Sequence, residues 1–360
     1  MTRVRNFCAG PCTLPIEVLE EVQGELVDFQ GSGMSLIEMS HRSPEYDAVH
    51  GDALRRLRAT FDVPDDFEVL FLQGGASLQF AMVPMNLLQD GESAGYVRSG
   101  AWGKAAHADA ERAASAYAAW DGSDVAFTRM PEPEEIEVRA GTRYVHVTSN
   151  ETIEGIELRA LPDLGVPLVV DLSSDFLTQP VDWDRVDLAY GGVQKNLGPA
   201  GLTVVMIRRS ALDACVSGLP SYLGYAGHAG ARSLLNTPPM FSIYVMGKML
   251  GWIEQRGGLA GMAKRADQRS GQVYDAVDRS EGFYSGPAQP TARSRTNVVF
   301  RLASPELEGR FLTGAREAGL VNLKGHRSVG GIRASIYNAM PDEGVDELVH
   351  FMGDFARGAG

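Results

Sequence analysis

The segment VDLAYGGVQKNLGPAGLTVVMIRR, residues 186–209, decides the fold of this chain. Its two apolar runs, 186–192 and 202–209, are typical of buried strands, and the turn between them holds glycines, a proline and one lysine, Lys195. A turn of about ten residues is too short for the crossover that joins parallel neighbours, so these strands are predicted to run antiparallel. A solvated surface lysine needs no such setting, and Lys195 is therefore a candidate nucleophile, a phosphate binder or a structural lysine.

Upstream of this segment, short apolar runs alternate with helix-like stretches. Residues 76–88 carry apolar side chains at helical spacing. Strands separated by helices indicate an α/β fold, in which a mostly parallel sheet is covered by helices on both faces. The further strands are predicted at residues 68–75, 93–100, 143–150 and 166–173.

The pattern changes beyond residue 240, where two helical stretches precede strands and helices in α+β order. The helices are predicted at 241–255 and 258–278, and the strands near 296–302 and 330–338. We therefore expect an extended N-terminal segment, a large domain and a smaller C-terminal domain, with the limits 1–15, 16–257 and 258–360.

The composition is that of an acidic globular protein. The chain has 360 residues, 33 of them basic and 46 acidic, and its net charge of −13 repels nucleic acid and anionic membranes. Any anionic ligand therefore needs a local cluster of basic residues.

The sequence carries no signal for a membrane helix, a signal peptide or a metal site. The apolar runs are too short for a membrane helix, the N-terminus lacks the core of a signal peptide, and Cys8, Cys12 and Cys215 lack metal-ligand spacing. A reduced, cytoplasmic protein without a metal is expected.

Asp171 ends the apolar run PLVVD upstream of Lys195. A strand, a loop and a strand would bring both residues to the carboxyl edge of a parallel sheet, where α/β proteins bind ligands. A lone aspartate at a strand end commonly forms a local turn. The pair fits either a salt bridge or the two ends of one cofactor, because pyridoxal phosphate takes a carboxylate at its ring nitrogen and a lysine at its aldehyde.

Three further features suit such a cofactor without proving it. The segment GGASLQF, residues 74–80, supplies glycines and a helix N-terminus for a phosphate, and it lacks the signatures of ATP-binding and dinucleotide-binding loops. Trp102 is a candidate either to stack on a ring or to fill the core. The segment SNETIEG, residues 149–155, places polar side chains after a predicted strand, a pattern that also fits a local capping box.

Several motifs together resemble the phosphoserine aminotransferases, class V members of the fold type I pyridoxal-phosphate enzymes. In chain order these are NFCAGP, SHRSPEY, GGASLQF, AWGK, SNETIEG, VVDLSSDFL, GGVQKNLGPAGL, NTPP and GHRSVGGIRASIYNAMP. The resemblance covers nearly the whole chain. It implies a large domain built on a mostly parallel seven-stranded sheet and a smaller α+β C-terminal domain.

The resemblance also implies a role for each cofactor-binding residue. Lys195 would bind the aldehyde of pyridoxal phosphate and Asp171 would pair with the ring nitrogen, and these two are the predicted catalytic residues. Trp102 would stack on the ring, and Thr152 would donate to its hydroxyl. The phosphate would be held by Ala76, Ser77 and Gln194, and by Asn236 and Thr237 from the second subunit of a homodimer with shared active sites.

A substrate with an α-carboxylate and a second acidic group needs two sites at which basic residues bind an anion. Arg333 suits the carboxylate because a guanidinium donates two parallel hydrogen bonds, although a structural salt bridge is the alternative. The resemblance assigns the second group, a phosphate, to His326 and Arg327 and to His41 and Arg42 of the partner subunit. Taken alone, either His-Arg pair is equally typical of ordinary surface charge.

The implied reaction is the reversible transfer of an amino group from glutamate to 3-phosphohydroxypyruvate, which gives O-phosphoserine and 2-oxoglutarate in serine biosynthesis. Formation of 4-phosphohydroxythreonine, for pyridoxine biosynthesis, is chemically similar. Another class V aminotransferase, of the alanine- or serine-glyoxylate type, is the alternative, although it would have no use for two His-Arg pairs. A cysteine desulfurase would need a cysteine late in the chain, and this chain has none after Cys215. A non-catalytic cofactor-binding regulator would need a DNA-binding domain for which no length is left.

Two positions depart from the family pattern. Ala9 and Ser77 replace a serine and an arginine common in the family, which leaves the affinity for substrate and cofactor open.

Overall fold

The computed structural model describes residues 3–359, which form ten α-helices and fourteen strands. The helices are α1 (Ile16–Glu25), α2 (Pro44–Thr60), α3 (Gly75–Leu87), α4 (Ala101–Ala113), α5 (Arg209–Asp213), α6 (Tyr225–Gly230), α7 (Met240–Glu254), α8 (Gly258–Asp278), α9 (Pro305–Glu317) and α10 (Asp342–Ala359). The strands are β1 (Arg5–Asn6), β2 (Phe67–Leu72), β3 (Ser93–Arg98), β4 (Ala116–Asp121), β5 (Thr142–Thr148), β6 (Asn150–Glu151), β7 (Ile156–Glu157), β8 (Leu168–Asp171), β9 (Val186–Gly192), β10 (Thr203–Arg208), β11 (Tyr284–Ser285), β12 (Asn297–Leu302), β13 (Leu320–Val321) and β14 (Ile332–Ser335).

A seven-stranded sheet forms the centre, in the order β2-β10-β9-β8-β5-β3-β4. Its strands are parallel except β10, which runs antiparallel to both β9 and β2. The predicted α/β class and the antiparallel pairing across the Lys195 turn are therefore confirmed.

Both faces of this sheet are buried, which explains why its strands are apolar throughout rather than alternating. Val170 and Val204 join the core on the face covered by α2 and α7. Val169 and Val205 point the other way and join the core with α3 and α4. Successive residues of one strand thus fill two cores, with the period of two that a strand imposes.

Strand β4 and helix α2 were not predicted. The β4 sequence AYAAWD is rich in alanine, lacks β-branched residues and forms one edge of the sheet. A signal for α2 was present, since Ser43 precedes Pro44 and its hydroxyl accepts a hydrogen bond from Tyr46 N at 3.2 Å. Long-range packing forms β4, whereas α2 begins at a local N-cap that the sequence shows.

A third core lies in the C-terminal part, where β11, β12 and β14 form an antiparallel sheet against α8, α9 and α10. The N-terminal segment joins this unit, because β1 pairs in parallel with β13 and Phe7 is buried in the third core. Helix α8 begins at Gly258. Within residues 3–359, no helix is long and apolar enough to cross a membrane.

Candidate active site

The carboxyl edge of the parallel strands brings three predicted residues together. Asp171 ends β8, Lys195 lies in the turn after β9, and Thr152 follows the short strand β6. Lys195 Nζ donates a hydrogen bond to Thr152 Oγ1 at 2.8 Å. No ion pair within 4.0 Å joins Asp171 to Lys195 among the described residues. The two charges therefore lie at one edge without neutralising each other directly, unlike the salt bridge that the sequence left open.

Asp171 is buried, with one oxygen engaged and one free. Oδ1 accepts hydrogen bonds from Ser173 N at 2.8 Å and Ser173 Oγ at 2.6 Å, which is the local turn expected of a strand-end aspartate. None of the described residues donates a hydrogen bond to Oδ2. Burial raises the pKa of Asp171, and the nearby Lys195 ammonium opposes that rise. A protonated ring nitrogen at Oδ2 would satisfy this buried carboxylate, so Asp171 fits the predicted cofactor.

Lys195 is enclosed by the N-terminal segment as well as by its own turn. Cys12 N donates to Gln194 O at 3.0 Å, and a Cβ built on Gly10 would lie 3.4 Å from Lys195 Cγ. Burial lowers the pKa of Lys195, while the carboxylates of Asp171 and Glu151 oppose the change. The neutral amine needed for attack on an aldehyde is thus more accessible than in water.

Trp102 lies beside this lysine rather than deep in the core. It occupies the first turn of α4, is half-buried, and its ring centroid is 5.1 Å from Lys195 Nζ. Its Nε1 is buried without a hydrogen-bond partner in the described structure. An aromatic face near the lysine suits stacking on a flat ligand ring.

Two glutamates that the sequence did not single out hold the helix that carries Trp102. Glu151 accepts hydrogen bonds from Trp102 N at 3.0 Å and Gly103 N at 2.8 Å, and Glu154 accepts one from Ala101 N at 3.0 Å. Residues 149–155 therefore cap the distant helix α4, and the local capping box considered for this segment is wrong. Burial raises the pKa of both carboxyls, and the Glu154 carboxylate adds to the rise at Glu151. Their spacing gives no hint of this role, because α4 lies some fifty residues earlier in the chain.

The predicted phosphate site lies at the start of α3. Gly74 precedes the helix with φ of 90°, and a Cβ on Gly75 would meet no atom within 4 Å, so this entrance is open. Ala76 is half-buried and Ser77 is exposed in the first turn, whose backbone N–H groups have no intrahelical partners. Gln194 is half-buried in the Lys195 turn. A helix N-terminus in an otherwise acidic protein offers a dipole that attracts phosphate.

Two segments predicted to serve a partner subunit touch each other. Thr237 Oγ1 lies 3.3 Å from His41 Nδ1, and Thr237 O accepts a hydrogen bond from Gln73 Nε2 at 3.3 Å. Asn236 and Arg42 are exposed. None of the four predicted residues contacts Lys195 within one chain through a described hydrogen bond.

Of the predicted substrate-binding residues, Arg333 alone contacts the cluster formed by Lys195, Thr152 and Asp171, called here the Lys195 cluster. Its Nη1 donates to Thr152 O at 3.3 Å, and burial lowers its pKa. No carboxylate forms an ion pair with it in the described part of the chain, so the structural salt bridge is not observed. His326 and Arg327 lie in the loop that leads into β14, where His326 Nδ1 contacts Ser328 Oγ at 2.7 Å and Arg327 is exposed.

Comparison with known proteins gives one consistent result. Residues 4–348 match the family model of the class-V aminotransferases. The phosphoserine aminotransferase of Lysinibacillus sphaericus is 49% identical over 356 residues, which cover 99% of this chain and 98% of that protein. The solved phosphoserine aminotransferase of Bacillus circulans subsp. alkalophilus superimposes with a TM-score of 0.98 at 47% identity, covering 99% of both chains. The PLP-bound phosphoserine aminotransferase of Trichomonas vaginalis gives a TM-score of 0.93 at 35% identity, covering 98% of this chain and 100% of that one. The chain therefore belongs to the class-V aminotransferases and groups within them with the phosphoserine aminotransferases.

Proposed function

We propose that the protein is a pyridoxal-phosphate-dependent phosphoserine aminotransferase, which transfers the amino group of glutamate to 3-phosphohydroxypyruvate and releases O-phosphoserine and 2-oxoglutarate. The observation that carries the proposal is the shared edge of Lys195 and Asp171, where, within residues 3–359, the two charges form no ion pair and Asp171 Oδ2 accepts no hydrogen bond. Arg333, which has no carboxylate partner within residues 3–359, lies one hydrogen bond from Thr152 in the same cluster.

When bound, pyridoxal phosphate supplies an aldehyde that condenses with amines and a ring that accepts electrons. Lys195 Nζ would hold the aldehyde end and, once the substrate amine occupies that end, would accept the proton of the substrate α-carbon. Asp171 Oδ2 would pair with the protonated ring nitrogen. Trp102 would stack on the ring, and Thr152 Oγ1 would hold Lys195 and the ring hydroxyl. The phosphate is assigned to Ala76, Ser77 and Gln194, with Asn236 of the partner subunit and Thr237 of the partner subunit.

The substrate is held by arginine at two places. Arg333 binds the α-carboxylate, because a guanidinium that lacks a carboxylate partner gains charge-assisted hydrogen bonds from one. His326 and Arg327, together with the partner's His41 and the partner's Arg42, bind the phosphate of phosphoserine or the side-chain carboxylate of glutamate. Two basic pairs around one dianion would explain how a chain with a net charge of −13 binds an anionic substrate.

A homodimer with shared active sites is part of the proposal. Exposed apolar side chains lie close in sequence to both segments assigned to the partner's site, and such side chains commonly mark an interface. The segments 26–38 and 235–241 both border α7, where Phe29 and Phe241 each contact the ring of Tyr244. The exposed apolar residues are Leu26, Val27, Met34, Ile37, Leu235 and Phe241.

An assay of amino donors tests this function. The cofactor-loaded protein is supplied with 2-oxoglutarate and either O-phosphoserine, serine or alanine, and glutamate formation is measured. We expect kcat/KM for O-phosphoserine to exceed that for serine by about 100-fold or more, since a lost phosphate removes several charge-assisted hydrogen bonds. Equal use of the three donors would assign the chain to another class V activity. So would faster amino transfer from alanine when glyoxylate replaces 2-oxoglutarate as the acceptor.

A further inference from the structure

One C-terminal segment, residues 332–338, touches the surroundings of Lys195 at two points. Arg333 Nη1 donates to Thr152 O at 3.3 Å, and Thr152 Oγ1 accepts the hydrogen bond of Lys195 Nζ at 2.8 Å. At the other end of the segment, Asn338 binds the residue that follows Lys195 in the chain. The segment therefore contacts both the ammonium end of the lysine side chain and the main chain next to it.

The second contact is a closed network of two buried asparagines. Asn196 and Asn338 are 1% and 3% exposed. Asn338 N donates to Asn196 Oδ1 at 2.7 Å, and Asn338 Nδ2 donates to Asn196 O at 3.3 Å and Phe176 O at 3.0 Å. Asn196 Nδ2 donates to Phe176 O as well, at 2.7 Å. Buried polar groups satisfied in only one arrangement fix the main chain that carries them.

Arg269, on α8, holds the far side of this network. It is 2% exposed, and its Nη1 donates to Tyr337 O and Asn338 O, both at 3.2 Å, while Nε donates to Asp342 Oδ1 at 2.7 Å. Tyr337 also donates its hydroxyl to Ala9 O at 2.8 Å, in the N-terminal segment that covers Lys195. A buried guanidinium that bridges two carbonyls thus fixes the turn at residues 337–338.

We propose that Asn338, held by Arg269, is a positioning residue that sets the place of Lys195 relative to Arg333. Asn338 is not among the residues assigned to cofactor or substrate, so it acts through Asn196. The inference rests on the proposed function, in which Arg333 fixes the substrate carboxylate and Lys195 takes the proton from the adjacent carbon. A displacement of about 1 Å between such groups lowers a rate by about 100-fold.

The test is Asn338→Ala in the cofactor-loaded enzyme. We expect kcat to fall by about 10- to 100-fold, with KM for glutamate changed by less than about threefold because Arg333 still binds the carboxylate. The primary isotope effect with α-deuterated glutamate should rise, since proton transfer by Lys195 becomes the slow step. In the apoprotein, the visible absorbance that follows addition of pyridoxal phosphate should appear more slowly, by about tenfold or more.

Asn86→Ala is the matched control. Asn86 is likewise fully buried, and its Nδ2 also donates to two carbonyls, Met82 O and Leu223 O, both at 2.8 Å. It lies at the opposite end of α3 from the phosphate site. The control should unfold at a lower temperature yet keep the parent isotope effect, because a purely structural loss changes the amount of active enzyme and leaves its slow step unchanged.

Arg269→Lys provides a second variant that keeps the charge but replaces the separate nitrogens that bind Asp342 and the two carbonyls by a single ammonium. It should raise the isotope effect in the same direction, and it decides the question if Asn338→Ala does not fold. The inference is overturned if every folded variant of the two retains the parent isotope effect and the parent rate of cofactor capture. A parent enzyme that captures no cofactor, or transfers no amino group, would instead refute the proposed function.

Discussion

At the scale of single residues, the site depends on charges held close together without direct pairing. Ser173 donates to one oxygen of Asp171, no described residue donates to the other, and Lys195 donates to a threonine rather than to the aspartate. A buried carboxylate without a cationic contact is unfavourable in the isolated chain. The proposed cofactor, with a protonated ring nitrogen and an aldehyde, would provide a partner for each of the two side chains.

Replacement of Arg333 by lysine tests the carboxylate anchor. Arg333→Lys keeps a charge but loses the planar fork, so KM for both glutamate and O-phosphoserine should rise by about 10- to 100-fold. Steady-state kinetics with each substrate measures the change. Arg310→Lys, at an exposed position of α9, is the control and should leave both KM values unaltered. Equal behaviour of the two variants would remove Arg333 from substrate binding.

The two His-Arg pairs are tested by comparing a phosphorylated amino donor, O-phosphoserine, with an unphosphorylated one, alanine. Arg42→Ala and Arg327→Ala should each raise KM for O-phosphoserine by about 10-fold or more, because each removes a charge-assisted hydrogen bond to the phosphate. KM for alanine, which carries no second anionic group, should change little. The exposed Arg310 on α9 supplies a control in Arg310→Ala. A similar rise in KM for both donors would argue against a phosphate role.

At the scale of elements, the turn after β8 carries a second buried carboxyl, Asp175. Burial raises its pKa from 3.8 to about 8, with Glu157 adding to the rise, whereas Ser149 and Arg295 oppose it. The folded state therefore holds this proton more tightly than the unfolded state. The resulting stability is present below pH 3.8 and is lost as the pH rises toward 8.

Asp175→Asn should abolish that pH dependence while keeping the hydrogen bond from Ser149 Oγ, which is 2.7 Å long. Relative to the parent, the free energy of unfolding of the variant should increase between pH 5 and pH 8, by at most about 1.4 kcal/mol per pH unit. Urea unfolding at several pH values measures it. Asp90→Asn, at an exposed site, should show no such trend. A constant difference between parent and Asp175→Asn across this range would refute the assignment.

The elements also show what the sequence can predict. The strands around Lys195 are predictable because apolar runs bounded by glycines are typical of buried strands, and the short turn between β9 and β10 requires β10 to be antiparallel. Strand β4 is not predictable, since an alanine-rich edge strand forms only where the sheet offers it a neighbour. Glu151 and Glu154 share this limit, because the helix that they cap is specified elsewhere in the chain. The structure places Asp171 and Lys195 at one edge of the sheet, as the chemistry of one cofactor leads us to expect.

At the scale of the whole molecule, the predicted site is incomplete within one chain. His41 and Thr237 contact each other, and Arg42 and Asn236 are exposed, while Lys195 is surrounded by other residues. In the proposed homodimer, a second copy would bury the exposed apolar residues near these segments. The proposed shared site would explain both observations.

Mixing Lys195→Ala, which should be inactive, with Arg42→Ala, whose KM for O-phosphoserine should be raised, tests the sharing. The two kinds of subunit, unfolded together and refolded, should form mixed dimers in which one of the two sites has both residues intact. Activity at an O-phosphoserine concentration well below the parent KM should then reach about a quarter of the parent value, since about half of the dimers are mixed. Each variant refolded alone is the control. No recovery above those controls, with mixed dimers present by mass, would place Arg42 in its own subunit's site.

The central claim is that Lys195 holds the cofactor, and one chemical measurement tests it without any mutation. The chain has five lysines, Lys104, Lys195, Lys248, Lys264 and Lys324. Borohydride reduction of the cofactor-loaded protein fixes the link, and peptide mass mapping then identifies the modified residue. We predict one reduced cofactor per chain, on the peptide that contains Lys195. A cofactor fixed to any of the other four lysines, with Lys195 unmodified, would contradict the account.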